Sequence, residues 1–174
     1  MVKIIVGTNR KNAVSKTIAE LYQSILLDKG VESEILELQD LPIDFIGSAL
    51  YENNGKNPEY NAFVDRLRKA EKYVFIVPEY NGSFPGILKT FIDGMSYPNP
   101  LKNKKSALVG LSSGIGGGGI ALSHLSDIFN YLGMHVLALK PKLAQIERNM
   151  SDSSLTNKLY LELLHQQAEM LIEF

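Results

Sequence analysis

Short apolar segments alternate with amphipathic ones along most of this chain of 174 residues. The apolar runs cover residues 2–6, 31–38, 73–77, 106–111 and 135–139, and each has the length of a strand. In the segments between and after them, apolar residues recur at the spacing of a helix face. Strands that alternate with helices form a parallel sheet covered by helices on both faces. The sequence therefore predicts an α/β fold, a three-layer sandwich around a five-stranded parallel sheet.

The polarity of the runs indicates where two of the strands lie. Val2–Val6 is apolar except for Lys3, as expected for a strand that is buried on both faces. Val31–Leu38 alternates apolar and acidic residues, so we place it at an edge of the sheet. Five strands in a chain of this length fit the flavodoxin-like strand order 2-1-3-4-5 better than a six-stranded dinucleotide-binding fold.

Turn and capping residues indicate the bounds of the helices. The helix after the first strand is expected to end at Gly30, and the next is expected to start at Pro58. The other helices are expected after Pro85, at about residues 120–132 and at about residues 154–172. We expect residues 40–57 to form a long loop. Because no linker divides the chain, residues 1–174 are predicted to form a single domain.

Composition excludes several classes of function. A net charge of −1 and an isoelectric point near 6.3 leave no basic surface for nucleic acid. The chain has no cysteine, and its three histidines lack the spacing of metal ligands, so we expect no disulfide and no bound metal. It also lacks a leader pattern and an apolar run of membrane-spanning length. We therefore expect a cytoplasmic protein that binds neither nucleic acid nor a membrane.

The loop after the first strand, Gly7–Ser15, combines hydroxyls, amides and two cations at the start of a helix. Such a helix start favours an anion, because its N–H groups are free and the helix dipole is positive there. Thr8, Arg10 and Ser15 could donate hydrogen bonds to a phosphate. The alternative is that Ser15 caps the helix and the cations are solvated. The loop itself leaves both interpretations open.

The loop after the fourth strand, Ser112–Gly119, contains the pattern G-x-G-x-x-G. This pattern formally matches a dinucleotide-binding fingerprint, but Lys140, Pro141 and Lys142 follow the next strand where an acidic residue would hold the ribose. We favour a second explanation, in which a backbone without side chains lets a flat ring approach closely. A merely flexible connection is the third possibility.

The segment Pro78–Lys89 links the third strand to the next helix with the sequence PEYNGSFPGILK. Pro78 closes the strand, Asn81 and Gly82 favour a tight turn, and Pro85 suits the first turn of a helix. The segment is thus a polar loop at the carboxyl end of a strand. In open α/β sheets that edge is where ligands bind, and the three loops should meet there.

The pattern PEYNGSFPGILK between a strand and a helix strongly resembles the NADPH-dependent FMN reductase family. GTNR at residues 7–10, Asp40-Leu41-Pro42, Asp93 and the late Gly-rich loop extend the resemblance over most of the chain. It implies a flavodoxin-like enzyme that holds FMN and takes hydride from NADPH or NADH. It also implies a small oxidant such as a quinone, a free flavin, an azo compound or chromate, and a homodimer or homotetramer.

The resemblance implies that the first loop binds the FMN phosphate, the second lies along the ring and ribityl chain, and the Gly-rich loop flanks the flavin. The residues so assigned are Thr8, Arg10, Asn12, Ser15, Pro78, Glu79, Tyr80, Asn81, Gly82, Ser83, Ser113, Gly114, Gly116 and Gly117. The chain departs from the family pattern in two places. Arg10 and Ser15 are further apart than in the commoner pattern, and Thr90 stands where asparagine is frequent. The first leaves open which of Asn12, Ala13 and Ser15 reaches the phosphate.

No catalytic side chain is required, because FMN carries the chemistry. Tyr80 either positions a substrate or packs at the end of a strand. Two rival functions remain: an electron carrier of the flavodoxin type, which would need a more acidic surface, and a flavin-binding regulatory module.

Two helices bear on the oligomeric state. On the helix after the Gly-rich loop, Leu122, Leu125, Ile128, Phe129 and Leu132 exceed one core-facing stripe, so we expect another subunit to cover part of this surface. The alternative is that residues 40–57 or the last helix cover it within one chain. Lys89 and Asp93 are four residues apart and could form a surface ion pair or a subunit contact.

Overall fold

A parallel sheet in the order β2-β1-β3-β4-β5 runs through the computed structural model, which describes residues 1–174. The strands of this sheet are β1 (Val2–Val6), β2 (Ser33–Glu37), β3 (Lys72–Pro78), β4 (Lys105–Leu111), β5 (His135–Val136) and β6 (Lys142–Leu143), and a separate hairpin holds β7 (Met150–Ser151) and β8 (Ser154–Leu155). The helices are α1 (Val14–Asp28), α2 (Phe45–Ser48), α3 (Pro58–Arg68), α4 (Gly86–Asp93), α5 (Gly119–Tyr131) and α6 (Lys158–Glu173). The predicted fold class and strand order are confirmed, and β2 lies at the edge as expected.

Alternating side chains of the central strands supply two apolar cores. Ile5 and Phe75 face a core that is closed by α3, α4 and α5. Their neighbours Ile4 and Val74 face the opposite core, which α1 and α6 close. Successive side chains of a strand point to opposite faces, so each strand serves both cores. All of β1 is buried, which fits a sequence that is apolar except for Lys3, and the ammonium of Lys3 pairs with Glu34.

The fifth strand differs from the prediction of a strand at residues 135–139. It ends at Val136 and resumes as β6, and both pieces pair with β4. Pro141 lies at the break and lacks the N–H group that a regular ladder needs. The buried Gln167 of α6 fills the gap, because its Nε2 donates to the carbonyl oxygens of Leu108 and Leu139 at 2.9 and 2.7 Å.

Residues 40–57 are more ordered than the loop we expected. They contain α2 and one short 3₁₀ turn at Tyr51–Asn53, and Leu41, Phe45 and Leu50 are buried in the core beside α3. Sequence periodicity missed α2 because it is a single helical turn. The start of α3 agrees with the prediction, since Asn57 accepts a hydrogen bond from the N–H of Tyr60 at 2.9 Å and caps the helix.

The last helix begins at Lys158, four residues later than the predicted start at Ser154. The hairpin of β7 and β8 occupies Ser154 and Leu155, and Asn157 then caps α6 by accepting a hydrogen bond from the N–H of Tyr160. The predicted apolar run thus contains a turn-forming segment that helical spacing alone does not reveal. No helix of the fold combines the length and apolar character needed to cross a membrane.

The five apolar side chains of and just after α5 that predict a subunit contact are buried or partly buried within the chain. Leu122, Leu125 and Phe129 are buried, while Ile128 and Leu132 are partly buried against the same core. The helix packs on the sheet against β3, β4 and β5, so neither residues 40–57 nor α6 is needed to cover these side chains. These five side chains therefore leave little apolar surface for a subunit contact.

Candidate functional site

The loops after β1, β3 and β4 meet at the carboxyl edge of the sheet around an open cleft. A fourth segment, which follows β6, also reaches the cleft. The lining residues are Arg10, Ala13, Val14, Ser15, Pro78, Glu79, Tyr80, Leu111, Ser112, Ser113, Ile146 and Glu147.

The loop after β1 ends at a helix start that has no side-chain cap. Ala13 occupies the N-cap position, and the N–H groups of Val14 and Ser15 have no partner within the chain. Ser15 is therefore not the cap, although its buried side chain lines the cleft. The exposed Arg10 takes part in no ion pair and lines the same cleft. This arrangement leaves a helix dipole, backbone donors and a guanidinium available to one anion.

The turn after β3 is a tight hairpin. Tyr80 and Ser83 exchange backbone hydrogen bonds of 2.8 and 3.1 Å, and Asn81 and Gly82 between them have φ values of 51° and 76°. Asparagine and glycine tolerate this left-handed geometry, which explains the Asn-Gly pair. The N–H groups of Asn81 and Gly82 have no partner within the chain. The turn thus presents two free backbone donors.

Side chains tie both ends of the turn to neighbouring loops. The hydroxyl of Tyr80 lies 2.8 Å from Oγ1 of the buried Thr8, in the loop after β1. Oγ of Ser83 lies 2.9 Å from Nδ1 of His124, on α5. His124 is one of the three histidines without metal-ligand spacing, and the sequence gives no sign of its contact with Ser83. No group of three or more His, Cys, Asp or Glu side chains in the structure could hold a metal ion.

The first half of the Gly-rich loop is fastened to the segment after β6. Oγ of Ser113 donates to Oε1 of Glu147 at 2.8 Å. The N–H of Gln145 donates to the carbonyl oxygen of Gly114 at 2.8 Å, and that of Ile146 donates to the carbonyl oxygen of Ser112 at 3.0 Å. The loop after β4 is therefore held in shape by its neighbours and is not a flexible connection.

Two adjacent glycines of this loop differ in their surroundings. Gly117 is buried with a φ of 57°, and a Cβ atom there would come within 2.7 Å of the backbone of Lys142. Packing and backbone geometry both require glycine at this position. Gly116 is exposed, and its nearest contact for a Cβ atom is Oε2 of Glu79 at 3.5 Å. Gly116 thus leaves open space beside the turn after β3.

Only some of the predicted site residues line the cleft. Arg10, Ser15, Pro78, Glu79, Tyr80 and Ser113 line the cleft, while Thr8 lies beneath Tyr80. Asn12, Asn81, Gly82, Ser83, Gly114, Gly116 and Gly117 belong to the same three loops but do not line it. Sequence reasoning missed Ile146 and Glu147, because it ended the fifth strand at Leu139. Extending that strand to Leu143 would have placed them at the carboxyl edge.

These residues fit an FMN group. Its phosphate would find free N–H groups and Arg10 at the start of α1, and its ring edge would find the free N–H groups of Asn81 and Gly82. The space beside Gly116 is open, as a flat ring requires.

Away from the cleft, burial raises the pKa of the hydroxyls of Tyr22, Tyr60 and Tyr73, which belong to the cores.

The strand order and the converging loops define a flavodoxin-like ligand-binding protein. Residues 1–143 match the model of the family described as NADPH-dependent FMN reductase. The chain belongs to this family, as the resemblance of its central motif predicted.

Relatives support the same class. A NAD(P)H:quinone oxidoreductase of Solanum tuberosum is 32% identical over 134 residues, which are 75% of this chain and 68% of that protein. An NAD(P)H-dependent FMN reductase of Pseudomonas aeruginosa is 28% identical over 179 residues, 98% of this chain and 93% of that protein. The flavoenzyme NAD(P)H:(acceptor) oxidoreductase FerB from Paracoccus denitrificans has a similar structure, with a TM-score of 0.77 and 25% identity over 99% of this chain and 94% of that one.

The chain is therefore an oxidoreductase that uses FMN as its cofactor and NAD(P)H as its reductant. The predicted family, class of enzyme and cofactor are confirmed. The assignment of individual residues to FMN stays a prediction.

Proposed function

We propose that this enzyme reduces a quinone with NADPH or NADH, and that free flavins, azo compounds or chromate are further acceptors. When bound, FMN supplies the redox chemistry by accepting a hydride from the nicotinamide and passing the electrons on to the oxidant. The quinone is the first candidate because the similar protein of Solanum tuberosum is named a NAD(P)H:quinone oxidoreductase.

The observation that carries the proposal is the uncapped start of α1 beside Arg10. The N–H groups of Val14 and Ser15 and the guanidinium of Arg10 would bind the FMN phosphate. Thr8 would support the site indirectly by holding Tyr80. Asn12 is exposed with a φ of 54° and lies outside the cleft, so Ser15 is the better candidate for a phosphate contact.

The turn after β3 would hold the flavin ring through the free N–H groups of Asn81 and Gly82. Pro78 and Glu79 line the cleft below this turn, and the N–H of Glu79 donates to the carbonyl oxygen of Leu111 at 2.9 Å. This bond fixes the turn on the sheet. Tyr80 keeps 37% of its surface exposed while its hydroxyl is bonded to Thr8, so its ring is available to contact a substrate.

We also propose that the enzyme is a homodimer or homotetramer. The support is now a different set of side chains, Tyr97, Ile115, Ile120 and Tyr131, which are 97%, 86%, 58% and 90% exposed. Ile120 and Tyr131 belong to α5 and Ile115 precedes it, so much of the exposed apolar surface lies on or beside this helix, and such surface commonly marks an interface. A cytoplasmic location and a single domain over residues 1–174 remain part of the proposal, since the cleft takes residues from Arg10 to Glu147 and cytoplasmic NAD(P)H would supply the reductant.

Absorption spectroscopy and anaerobic titration test the proposed function. FMN-loaded protein should lose its visible flavin absorption when NADPH or NADH is added, and regain it when a benzoquinone is added. Turnover with the quinone should follow a ping-pong scheme. A flavin spectrum that neither nucleotide bleaches would overturn the proposal and favour the regulatory module.

Sedimentation at micromolar concentration tests the oligomer, and a fully active monomer would contradict it.

A further inference from the structure

The three loops of the cleft are joined in series by two side-chain hydrogen bonds. Thr8 connects the loop after β1 to Tyr80, at one end of the turn after β3. His124 connects α5, which follows the Gly-rich loop, to Ser83 at the other end. The turn between these two ends carries the free N–H groups of Asn81 and Gly82. Each end of the turn is therefore fixed by a different neighbouring element.

The backbone of His124 is held firmly although its side chain is exposed. Leu122 and Leu125 on either side of it are fully buried in the core beneath α5. Nδ1 of the imidazole lies 2.9 Å from Oγ of Ser83, and its other ring nitrogen has no partner within the chain. The buried face of α5 thus fixes the backbone position of His124, and the contact between its ring and Ser83 restrains the turn.

We propose that His124 is a positioning residue, which holds the turn at residues 80–83 in the shape that presents its free N–H groups to the flavin ring. This inference rests on the proposed function. It adds a residue that lies in neither the central motif nor the Gly-rich loop. Tyr80 and Ser83 are otherwise joined only by two backbone bonds across an exposed hairpin. Donors that are already in place bind more tightly than donors that must first be ordered.

The structure distinguishes this role from a general stabilising one. Loss of the bond between Ser83 and His124 removes no buried side chain and opens no cavity, because both residues lie at the surface. The free energy of unfolding should therefore change little. The effect should appear in flavin affinity and in the rate of flavin reduction by NAD(P)H, since both depend on the shape of the turn.

Four variants test the inference on the full chain: His124→Ala, His124→Asn, Ser83→Ala and the double variant Ser83→Ala/His124→Ala. The amide of asparagine can take the place of Nδ1, so His124→Asn keeps a partner for Ser83. The matched control is His165→Ala, which removes an exposed histidine of α6 that forms no side-chain hydrogen bond. FMN affinity of each apoprotein is measured by the quenching of flavin fluorescence, and folding by thermal melting.

We expect His124→Ala and Ser83→Ala each to weaken FMN binding about fivefold, the effect of one ordinary hydrogen bond. The double variant should be no weaker than either single one, because both substitutions remove the same bond. His124→Asn should restore affinity to within about twofold, and His165→Ala should leave it unchanged.

Unchanged FMN affinity in His124→Ala, or additive losses in the double variant, would overturn the role of His124. If the parent protein binds FMN and oxidises NAD(P)H in that case, only this inference fails and the proposed function stands. If the parent protein does neither, the proposed function fails as well. The inference would also be overturned if His124→Ala lowered the melting temperature by an amount that corresponds to a free energy as large as the loss in FMN binding. That result would indicate a structural role.

Discussion

The loop after β1 and the Gly-rich loop after β4 face the same cleft but differ in how their polar groups are used. In the first loop, Arg10 has no ion pair and the start of α1 has no cap, so the donors are free. In the second loop, Ser113 is bonded to Glu147 and the carbonyl oxygen of Gly114 is bonded to Gln145. One loop keeps its donors available, and the other uses its polar groups to keep its shape.

This difference indicates that the two loops have different roles in the site. Free donors at a positive helix end favour an anion, so the loop after β1 carries most of the affinity for the phosphate. A fixed loop with small residues sets the space for a ring, so the Gly-rich loop determines shape. If the two loops have these roles, substitutions in the loop after β1 should lower FMN affinity alone. Substitutions in the Gly-rich loop should affect the stability of the protein or the space for the ring.

The largest effect is expected at Gly117. Its positive φ and its contact with the backbone of Lys142 leave no room for a side chain. Gly117→Val should lower the free energy of unfolding by about 2–6 kcal/mol, from backbone strain and overpacking together. Chemical denaturation of the purified variant measures this change. A variant as stable as the parent would show that the loop is less rigid than its contacts indicate.

Gly116→Val is the matched control in the neighbouring position. A side chain there meets only the carboxylate of Glu79, so the free energy of unfolding should change by less than about 1 kcal/mol. The same side chain would enter the space left for the ring. FMN affinity should therefore fall while stability is kept. Equal losses of stability in the two glycine variants would erase the distinction between them.

Arg10→Ala should produce the next largest effect, on binding alone. The guanidinium is exposed and unpaired, so its removal should not disturb the fold. It should weaken FMN binding by about 1.5–3 kcal/mol, the range for a hydrogen bond to a charged group. Isothermal titration of the apoprotein with FMN checks the value. An unchanged affinity would mean that Arg10 is a solvated cation.

Ser113→Ala should have a smaller effect than Arg10→Ala, although both residues were predicted to bind the cofactor. The Ser113 hydroxyl already donates to Glu147, so it contributes to the shape of the loop rather than to the phosphate site. We expect a loss of FMN affinity below about 1 kcal/mol. A loss as large as that of Arg10→Ala would show that Ser113 contacts the cofactor directly.

The sequence predicted the parts of the fold that depend on local patterns. Asn81-Gly82 predicted a tight turn because few other residues accept positive φ values, and the structure contains it. The sequence of Val2–Val6, which is apolar except for Lys3, predicted a strand buried on both faces for the same kind of local reason. The motif at Pro78–Lys89 identified the family, which then implied the cofactor.

The sequence could not predict the features that depend on distant contacts. The break in the fifth strand is stabilised by Gln167, which lies 28 residues after Leu139. Because of that break, Glu147 reaches the cleft from a segment that appeared to lie beyond the sheet. His124 was missed since its partner Ser83 is 41 residues away. The roles of Gly116 and Gly117 were also indistinguishable until the packing of Lys142 was known.

The most direct test of the division between the two loops compares FMN with riboflavin, which differ by the phosphate. Both are titrated into the apoproteins of the parent and of Arg10→Ala. We expect the parent to bind riboflavin much more weakly than FMN, and Arg10→Ala to narrow the difference between the two affinities by lowering FMN affinity alone. Equal affinities of the parent for the two flavins would contradict a phosphate site at the start of α1.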